Sequence, residues 1–327
     1  MNAMSQAPFF IVGCGRSGTS LLRNLLNSHL EVAIPLESLF IVDYLRAEGL
    51  HDLAALQELL LGEPEISEWG LKLKRQDFVG APTLSATIDR LHMLYAQSQG
   101  KKHWGQKTPR FIRNLDLIGA SFPEAKFIHM IRDPRAVVNS LIRSDVHRSN
   151  PYHGAQRWKM DVSEGRDYES RHPDRMISIK YEKLVTQSDD VLKNICGFLN
   201  LEFQSDLVGQ KGGTEEYSRF YEKIHQNLDK PLTTLRIDSW KTELSTSAVQ
   251  VIEAIGMDVM IELGYEPVSE NIALQGSFVS RMKVQRLYAI ILQAFRYFRY
   301  RRSYLPYLFY RKWKLGLLRD FLWTVNY

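Results

Sequence analysis

The sequence predicts an α/β fold in which helices cover both faces of a central sheet of parallel strands. Short apolar runs typical of buried strands alternate with segments whose apolar residues recur at helical spacing. Strands are predicted at Phe9–Val12, Lys126–Ile131 and Met176–Lys180. The first leads into a glycine-rich loop, and the second ends at Arg-Asp-Pro, a typical helix start. Together these observations predict three layers, followed by a helical C-terminal extension.

The helices are predicted from apolar residues that recur every three or four positions. The region 36–99 is expected to be helical, whereas 144–170 matches no interpretable motif and is expected to form loops. The predicted helices are at about 19–28, 50–61, 84–97, 134–143 and 189–199, and a last one ends near 263–264.

The composition is that of a globular protein. Of 327 residues, 44% are apolar and 24% are charged, which suits one large core or two modest ones. The two cysteines, Cys14 and Cys196, predict neither a disulfide framework nor a metal site. No secretory leader is recognisable, and no apolar run is long enough to cross a bilayer. The expected location is the cytoplasm.

The charge divides the chain into two parts, here called the body (residues 1–270) and the tail (residues 271–327). The tail contains eleven Lys or Arg residues against one acidic residue, Asp320, and 14 of the 36 aromatic residues. The net charge is therefore +10 in the tail and −5 in the body, for +5 overall. The body is predicted to be one domain and the tail a basic, aromatic helical extension.

The tail's composition fits three roles, which the sequence leaves open. Helices that mix Leu, Ile, Phe, Tyr and Trp with Arg suit an anionic membrane surface, to which each basic residue adds about 1 kcal/mol of binding. The tail would then give a cytoplasmic protein a peripheral membrane association. Packing on the body or formation of a homodimer is the second role, and binding of an anionic acceptor is the third. Nucleic acid is not expected as a partner, because the body is acidic and no recognition motif is present.

The loop after the first strand has the composition of a phosphate site. It runs Gly13-Cys14-Gly15-Arg16-Ser17-Gly18-Thr19-Ser20. Backbone N–H groups and the dipole of the following helix converge on an anion there. Its glycine spacing fits the dinucleotide fingerprint, and Glu37 stands near the place of the ribose-binding acid. Arg16, however, is unusual in the tight pyrophosphate loop of a nicotinamide enzyme.

The same loop also fits the nucleotide-triphosphate motif, with one exception. Thr19 replaces the lysine that holds the terminal phosphates of ATP or GTP, which argues against triphosphate hydrolysis. The segment Arg16–Leu22 resembles instead the phosphosulfate loop of sulfotransferases that use 3′-phosphoadenosine 5′-phosphosulfate (PAPS), a relative of the triphosphate loop. The resemblance extends from about Phe9 to Pro267. It implies a P-loop-like fold, PAPS as donor, adenosine 3′,5′-bisphosphate (PAP) as product, and no metal.

The resemblance assigns the donor's two anionic groups to separate motifs. In the first, Arg16 and the backbone and hydroxyls of Ser17, Gly18, Thr19 and Ser20 would hold the 5′-phosphosulfate. The segment Ile131–Ser140 resembles the family's 3′-phosphate motif, in which Arg132 and Ser140 would bind. Ser140 lies about two helical turns beyond Arg132, so both side chains can face one phosphate. The competing interpretation of Arg132 is a local ion pair with Asp133 beside a helix cap.

Two later segments resemble further parts of the nucleotide pocket. The segment Ile179–Val185 is similar to the family's Arg-Tyr-Glu element, in which Tyr181 would line the pocket. Ser239-Trp240-Lys241 is similar to the segment that closes over the nucleotide. By this resemblance Ser239 and Lys241 are donor-binding residues, and Arg236 is an alternative to Lys241 near the 3′-phosphate.

The catalytic residues implied by the resemblance are Glu37 and Lys107. Lys107 lies in a Lys-Thr-Pro element and would act as the cation near the leaving oxygen. Pro109 occupies the position where cytosolic sulfotransferases have a histidine base. Glu37 follows Arg16 by 21 residues, as a glutamate does in the tyrosylprotein branch, and is therefore the expected general base. Histidines 147 and 153 are reserve candidates, and His129 is expected in the core.

The sequence thus predicts a sulfotransferase acting by in-line displacement. Its acceptor would be a hydroxyl or amine of a glycan, a lipid, a protein tyrosine or a small molecule. The alternatives are a P-loop-type phosphotransferase and a non-catalytic nucleotide-binding protein.

Overall fold

The predicted α/β fold is confirmed, and its centre is a parallel sheet. In a computed structural model, the described residues are 7–144, 147, 149–205, 207, 233–269, 276–300 and 304–320. The strands are β1 (Phe9–Gly13), β2 (Val32–Ala33), β3 (His103–Lys107), β4 (Lys126–Ile131) and β5 (Met176–Lys180). They are ordered β2-β3-β1-β4-β5, and each neighbouring pair is parallel.

Helices connect the strands and cover both faces of the sheet. The first seven are α1 (Thr19–Asn27), α2 (Phe40–Ala47), α3 (Leu53–Leu61), α4 (Pro64–Ser67), α5 (Leu84–Ser98), α6 (Leu115–Ser121) and α7 (Pro134–Arg143). They are followed in the body by α8 (Pro151–Arg171), α9 (Tyr181–Thr186), α10 (Ser188–Leu199), α11 (Trp240–Glu243) and α12 (Thr246–Glu262). The tail contributes α13 (Gly276–Tyr300) and α14 (Tyr304–Lys314). Short 3₁₀ turns lie at Arg75–Phe78, Pro109–Asn114, Thr234–Arg236 and Leu318–Asp320.

Strand β1 lies at the middle of the sheet and links the two main cores. Phe10 and Val12 point to one face, where they pack with Trp104 and Phe127. Ile11 points to the other face and packs against α1 and α10. Because both faces are covered, β1 is apolar throughout and not alternating. The loop that follows β1 is consequently anchored to a strand that is buried along its whole length.

The structure differs from the sequence prediction in two places. Strands β2 and β3 were not expected, since β2 has two residues and β3 is the polar run His-Trp-Gly-Gln-Lys. The expectation of loops across 144–170 was wrong, because residues 151–171 form the long helix α8. The buried face of α8 includes Gly154, Asp161 and Gly165, and these residues interrupt the apolar periodicity from which a helix is predicted.

The first part of the tail packs on the body through one face of α13. Met282 is buried against Tyr152 of α8 and Val251 of α12, with Phe278 and Val279 beside it. Asn150 Nδ2 donates a hydrogen bond of 2.9 Å to the Met282 carbonyl. No helix within the described ranges is long and apolar enough to span a membrane.

The second part of the tail pairs two buried cations with buried carboxylates of the body. Arg311 Nε donates to Asp43 of α2 at 3.0 Å, and Arg311 Nη1 donates to Glu65 at 3.0 Å. Lys312 Nζ donates to Asp43 at 2.5 Å. Burial raises the pKa of Glu63, a further partner of Arg311, to about 8. These pairs attach the basic tail to carboxylates that the acidic body would otherwise bury alone.

The apolar residues after α14 extend the same attachment. Leu315 is fully buried and Leu317 nearly so, and both belong to the core cluster that contains Phe10 of β1. The described end of the tail therefore shares the body's larger core.

Candidate active site

The glycine-rich loop lies at the carboxyl end of the central strand, where ligands bind in open parallel sheets. Gly13 has a φ of +144°, and a Cβ there would lie 2.5 Å from the Met130 carbonyl oxygen of β4. Arg16 has a φ of 76°, a conformation that non-glycine residues rarely adopt. The turn is closed by the Ser17 N–H, which donates to the Cys14 carbonyl at 3.1 Å. The loop is therefore held in a strained shape of the kind found at functional sites.

The start of α1 offers donors to an anion. Gly18 is its N-cap and supplies no capping side chain, and the first turn contains no acidic residue. Ser17 Oγ is fully buried and has no hydrogen-bond partner in the described part of the chain. An unsatisfied buried hydroxyl costs about 1–3 kcal/mol, so an anion bound here would supply the missing partner. These features fit the predicted phosphosulfate subsite.

Tyr181 closes one side of the loop. It begins α9 at the end of β5, and its ring lies 4.1 Å from the guanidinium carbon of Arg132. A Cβ on Gly18 would come within 2.4 Å of the Tyr181 Cδ2 atom. Tyr181 is thus fixed between Arg132 and the loop, which only a glycine at position 18 permits.

Arg132 leaves the end of β4 and turns toward the loop. Its Nη1 donates to the Arg16 carbonyl at 3.2 Å and its Nη2 to the Arg236 carbonyl at 2.6 Å. Its Nε is buried without a partner among the residues described. Asp133 caps α7 and pairs with Arg135 at 2.7 Å, so the structure does not form the local pair between Arg132 and Asp133. The Arg132 charge is consequently available to a ligand.

The two predicted anion subsites meet at Arg16 and Ser140. Arg16 Nε donates to Ser140 Oγ of α7 at 2.9 Å. The pKa of Arg16 is lowered by burial and by the positive charges of Arg132 and Arg236. Cations crowded in this way favour a bound anion, which would relieve their mutual repulsion.

The two residues expected to be catalytic, Glu37 and Lys107, lie in contact. Lys107 Nζ, at the end of β3, donates to Glu37 Oε1 at 2.5 Å. The Lys107 side chain is 2% exposed and that of Glu37 is 26% exposed. Burial lowers the pKa of Lys107, and the neighbouring charges of Arg23 and Arg16 lower it further, whereas Glu37 raises it. Glu37 therefore stabilises a buried ammonium group and keeps a partly open edge toward solvent.

The segment that carries Glu37 is held by side chains that the sequence analysis did not select. Gln106 Nε2 donates to the Leu36 carbonyl at 3.2 Å and to Thr108 Oγ1 at 3.1 Å. Thr108 Oγ1 also accepts the Ser38 N–H at 3.1 Å. Arg23 of α1 donates from Nε to the Ile34 carbonyl at 3.0 Å. In the sequence, the feature that could have pointed to Gln106 and Thr108 is that they flank Lys107.

Of the two reserve histidines, His147 lies beside the loop, whereas His153 is half-buried on α8. His147 Nδ1 lies 3.0 Å from Ser144 Oγ, and its Nε2 would be 3.7 Å from a Cβ on Gly15 of the loop. Burial and the charges of Arg157 and Arg16 lower the pKa of His147 well below its usual value, which keeps the ring neutral. Burial lowers the pKa of the core residue His129 to about 3.

Of the residues expected near the 3′-phosphate at 236–241, only Arg236 contacts the site. Arg236 contributes its carbonyl to Arg132, and its charge acts on both Arg16 and Arg132. The described contacts of Lys241 are instead an exposed pair with Asp238 at 3.0 Å and the face of Trp240. Ser239 is the N-cap of α11. Of the two alternatives considered near the 3′-phosphate, the geometry favours Arg236.

The sequence model of the sulfotransferase family matches residues 8–205. The chain belongs to the sulfotransferase family. The matched part includes the loop, Glu37, Lys107, Arg132 and Tyr181, whereas Arg236 lies beyond it.

Curated relatives agree with this assignment. The sulfotransferase is 24% identical to protein-tyrosine sulfotransferase 1 of Danio rerio over 272 residues, which cover 79% of this chain and 72% of the relative. It is 25% identical to the nodulation protein NoeE of Sinorhizobium fredii over 281 residues, or 79% and 65% of the two chains.

Solved structures share the fold. The sulfotransferase domain from the curacin biosynthetic pathway superposes with a TM-score of 0.57 at 21% identity, covering 80% of this sulfotransferase and 98% of that chain. The sulfotransferase domain from the Synechococcus PCC 7002 olefin synthase gives 0.51 at 22% identity, covering 78% and 97%.

Proposed function

We propose that this sulfotransferase transfers the sulfuryl group of PAPS to a hydroxyl or amine of its acceptor. The observation that carries the proposal is the hydrogen bond between Arg16 and Ser140, which joins two sets of cations and hydroxyls at one end of the sheet. A donor with two separate anionic groups suits such a double site.

The donor's groups would be held by distinct residues. The uncapped start of α1 and the buried Ser17 hydroxyl suit the 5′-phosphosulfate. The unsatisfied Nε of Arg132 and the Ser140 hydroxyl suit the 3′-phosphate. Tyr181 would border the nucleotide.

When bound, PAPS supplies an activated sulfuryl group whose transfer releases PAP. Lys107, buried at the end of β3, would neutralise negative charge that develops on the leaving oxygen. Glu37 presents its open edge to the acceptor and would take the proton of the attacking group. The hydrogen bonds to Leu36 and Ser38 hold Glu37 in place for this transfer.

Ligand binding tests the donor, and labelled transfer tests the reaction. In thermal-shift measurements we expect PAP to stabilise the protein, and ATP with Mg²⁺ or NAD to have little effect. Stabilisation by ATP with Mg²⁺ alone would favour a phosphotransferase, and by NAD alone a dinucleotide enzyme. Incubation with ³⁵S-labelled PAPS and a host-cell extract should label a glycan, lipid, protein or small molecule. Binding of PAP without any transfer would indicate a non-catalytic nucleotide-binding protein.

A further inference from the structure

Exposed apolar side chains are concentrated in the tail. Of the fourteen large apolar side chains that the described structure leaves exposed, eight lie between residues 284 and 318. They are Val284, Leu287, Tyr288, Ile291, Phe309, Tyr310, Trp313 and Leu318. Scattered exposed apolar residues are ordinary, but a contiguous group marks an interaction surface.

Four of them form a stripe along α13, here called the α13 stripe: Val284, Leu287, Tyr288 and Ile291. Their spacing of three and four residues places them on one side of the helix. Between 47% and 67% of each residue is exposed. Met282, on the opposite side of α13, is 8% exposed and packs against the body. The body thus fixes the helix so that the stripe faces outward.

Basic residues border the stripe on both sides. At about 100° per residue, Arg281 and Lys283 lie on either flank of the stripe, and both are exposed. In α14, Lys314 Nζ lies 5.5 Å from the ring of Tyr310 and 5.3 Å from that of Trp313, two exposed aromatic side chains. An apolar stripe with basic borders is the pattern of helices that lie in the interface of an anionic bilayer.

We propose that the α13 stripe lies on an anionic membrane surface. Arg311 and Lys312 are neutralised by carboxylates of the body, but Arg281 and Lys283 are exposed beside the stripe and attract this face to negative lipid headgroups. A second copy of the chain fits less well, because symmetric pairing of two stripes would bring Arg281 and Lys283 of both copies together. The inference does not depend on the donor or the acceptor.

The experiment is co-sedimentation of the full chain with vesicles. One set is phosphatidylcholine alone, and the other is equal parts of phosphatidylcholine and phosphatidylglycerol. We expect at least about tenfold stronger binding to the anionic set, weakened by added salt. The double variant Leu287→Asp/Ile291→Asp should bind at least about tenfold less, since two apolar side chains leave the interface.

A matched control keeps the test specific. Leu30→Asp/Val79→Asp changes two residues that are each 70% exposed in the body, and it should bind vesicles like the wild type. The far-UV circular dichroism spectrum and the midpoint of thermal unfolding should be equal in all three proteins, which shows that each is folded. Absence of sedimentation, or equal binding to neutral and anionic vesicles, would overturn the proposal. So would a wild-type dimer, seen by sedimentation velocity, that the stripe variant loses while neither protein binds vesicles.

Discussion

Arg132→Ala removes the side chain that we place at the donor's 3′-phosphate. In the structure its guanidinium bonds to two backbone carbonyls, those of Arg16 and Arg236, and the neighbouring Asp133 is engaged by Arg135. The substitution therefore breaks two hydrogen bonds to neutral groups and removes the contact with the Tyr181 ring, but it leaves the ion pair at the start of α7 intact. The variant should fold, and its binding defect can be measured directly.

The expected magnitude follows from the contact that is lost. A hydrogen bond to a charged group contributes about 1.5–3 kcal/mol, which corresponds to about a 10- to 150-fold weaker affinity for PAP. Adenosine 5′-monophosphate lacks the 3′-phosphate, so its affinity should change by about threefold or less, under 1 kcal/mol. The ratio of the two affinities isolates the contact with the 3′-phosphate.

Isothermal titration calorimetry of both nucleotides measures this ratio. Arg143→Ala is the control, because Arg143 is an exposed arginine, paired with Glu243, on the same helix as Ser140. We expect its ratio to match that of the wild type. If a folded Arg132→Ala protein loses affinity equally for both nucleotides, or for neither, the assignment of Arg132 is refuted.

Three further changes probe the base, the loop and the tail. Glu37→Gln should lower labelled transfer by about a hundredfold or more while PAP affinity stays within about threefold; near-normal transfer would exclude Glu37 as the base. Gly18→Ala should weaken PAP binding about tenfold or more, because its Cβ would lie 2.4 Å from a ring carbon at a φ of +94°, whereas Gly197→Ala, in open space, should not. Arg311→Met should lower the free energy of unfolding at neutral pH by about 3–5 kcal/mol. Glu63 has a pKa of about 8 with Arg311 present, and loss of Arg311 raises that pKa further. Below pH ~8 Glu63 is protonated in both folded proteins, whereas above it only the variant retains the proton, so urea titrations should show the deficit growing as the pH rises above about 8. A pH-independent deficit would contradict that explanation.

Much of the fold could be predicted because it depends on local patterns. The strands β4 and β5 begin and end where the apolar runs do, and α7 starts at its Asp-Pro signal. The short strand β3 was not predicted, because its polar residues are buried and form hydrogen bonds with groups far away in the sequence. Gln106, for example, is fully buried and bonds to the Leu36 carbonyl, 70 residues away. Pairings at that distance leave no periodic signal in the sequence.

In the candidate site, too, some residues could be selected from sequence motifs, whereas others depend on contacts between distant parts of the chain. Glu37 and Lys107 were selected through a resemblance, and the structure places them 2.5 Å apart. Thr108 and Arg23 position the segment of Glu37 through hydrogen bonds to its backbone. Every residue has such backbone groups, so the sequence does not show which of them will be bound. The choice between Arg236 and Lys241 as the residue near the 3′-phosphate likewise depends on the path of the chain after α10. Amino-acid composition does not specify that path.

The core shared by β1 and the tail has a consequence for synthesis. Phe10 emerges from the ribosome early, whereas Leu315, which belongs to the same core, is made much later. Until then Asp43 and Glu65 lack the cations of Arg311 and Lys312. Asp43 lies on α2, which begins three residues after Glu37. The nascent chain therefore carries the complete glycine-rich loop long before the helix that follows Glu37 has its cationic partners, and a chain that stops before the tail would be left with an incomplete core.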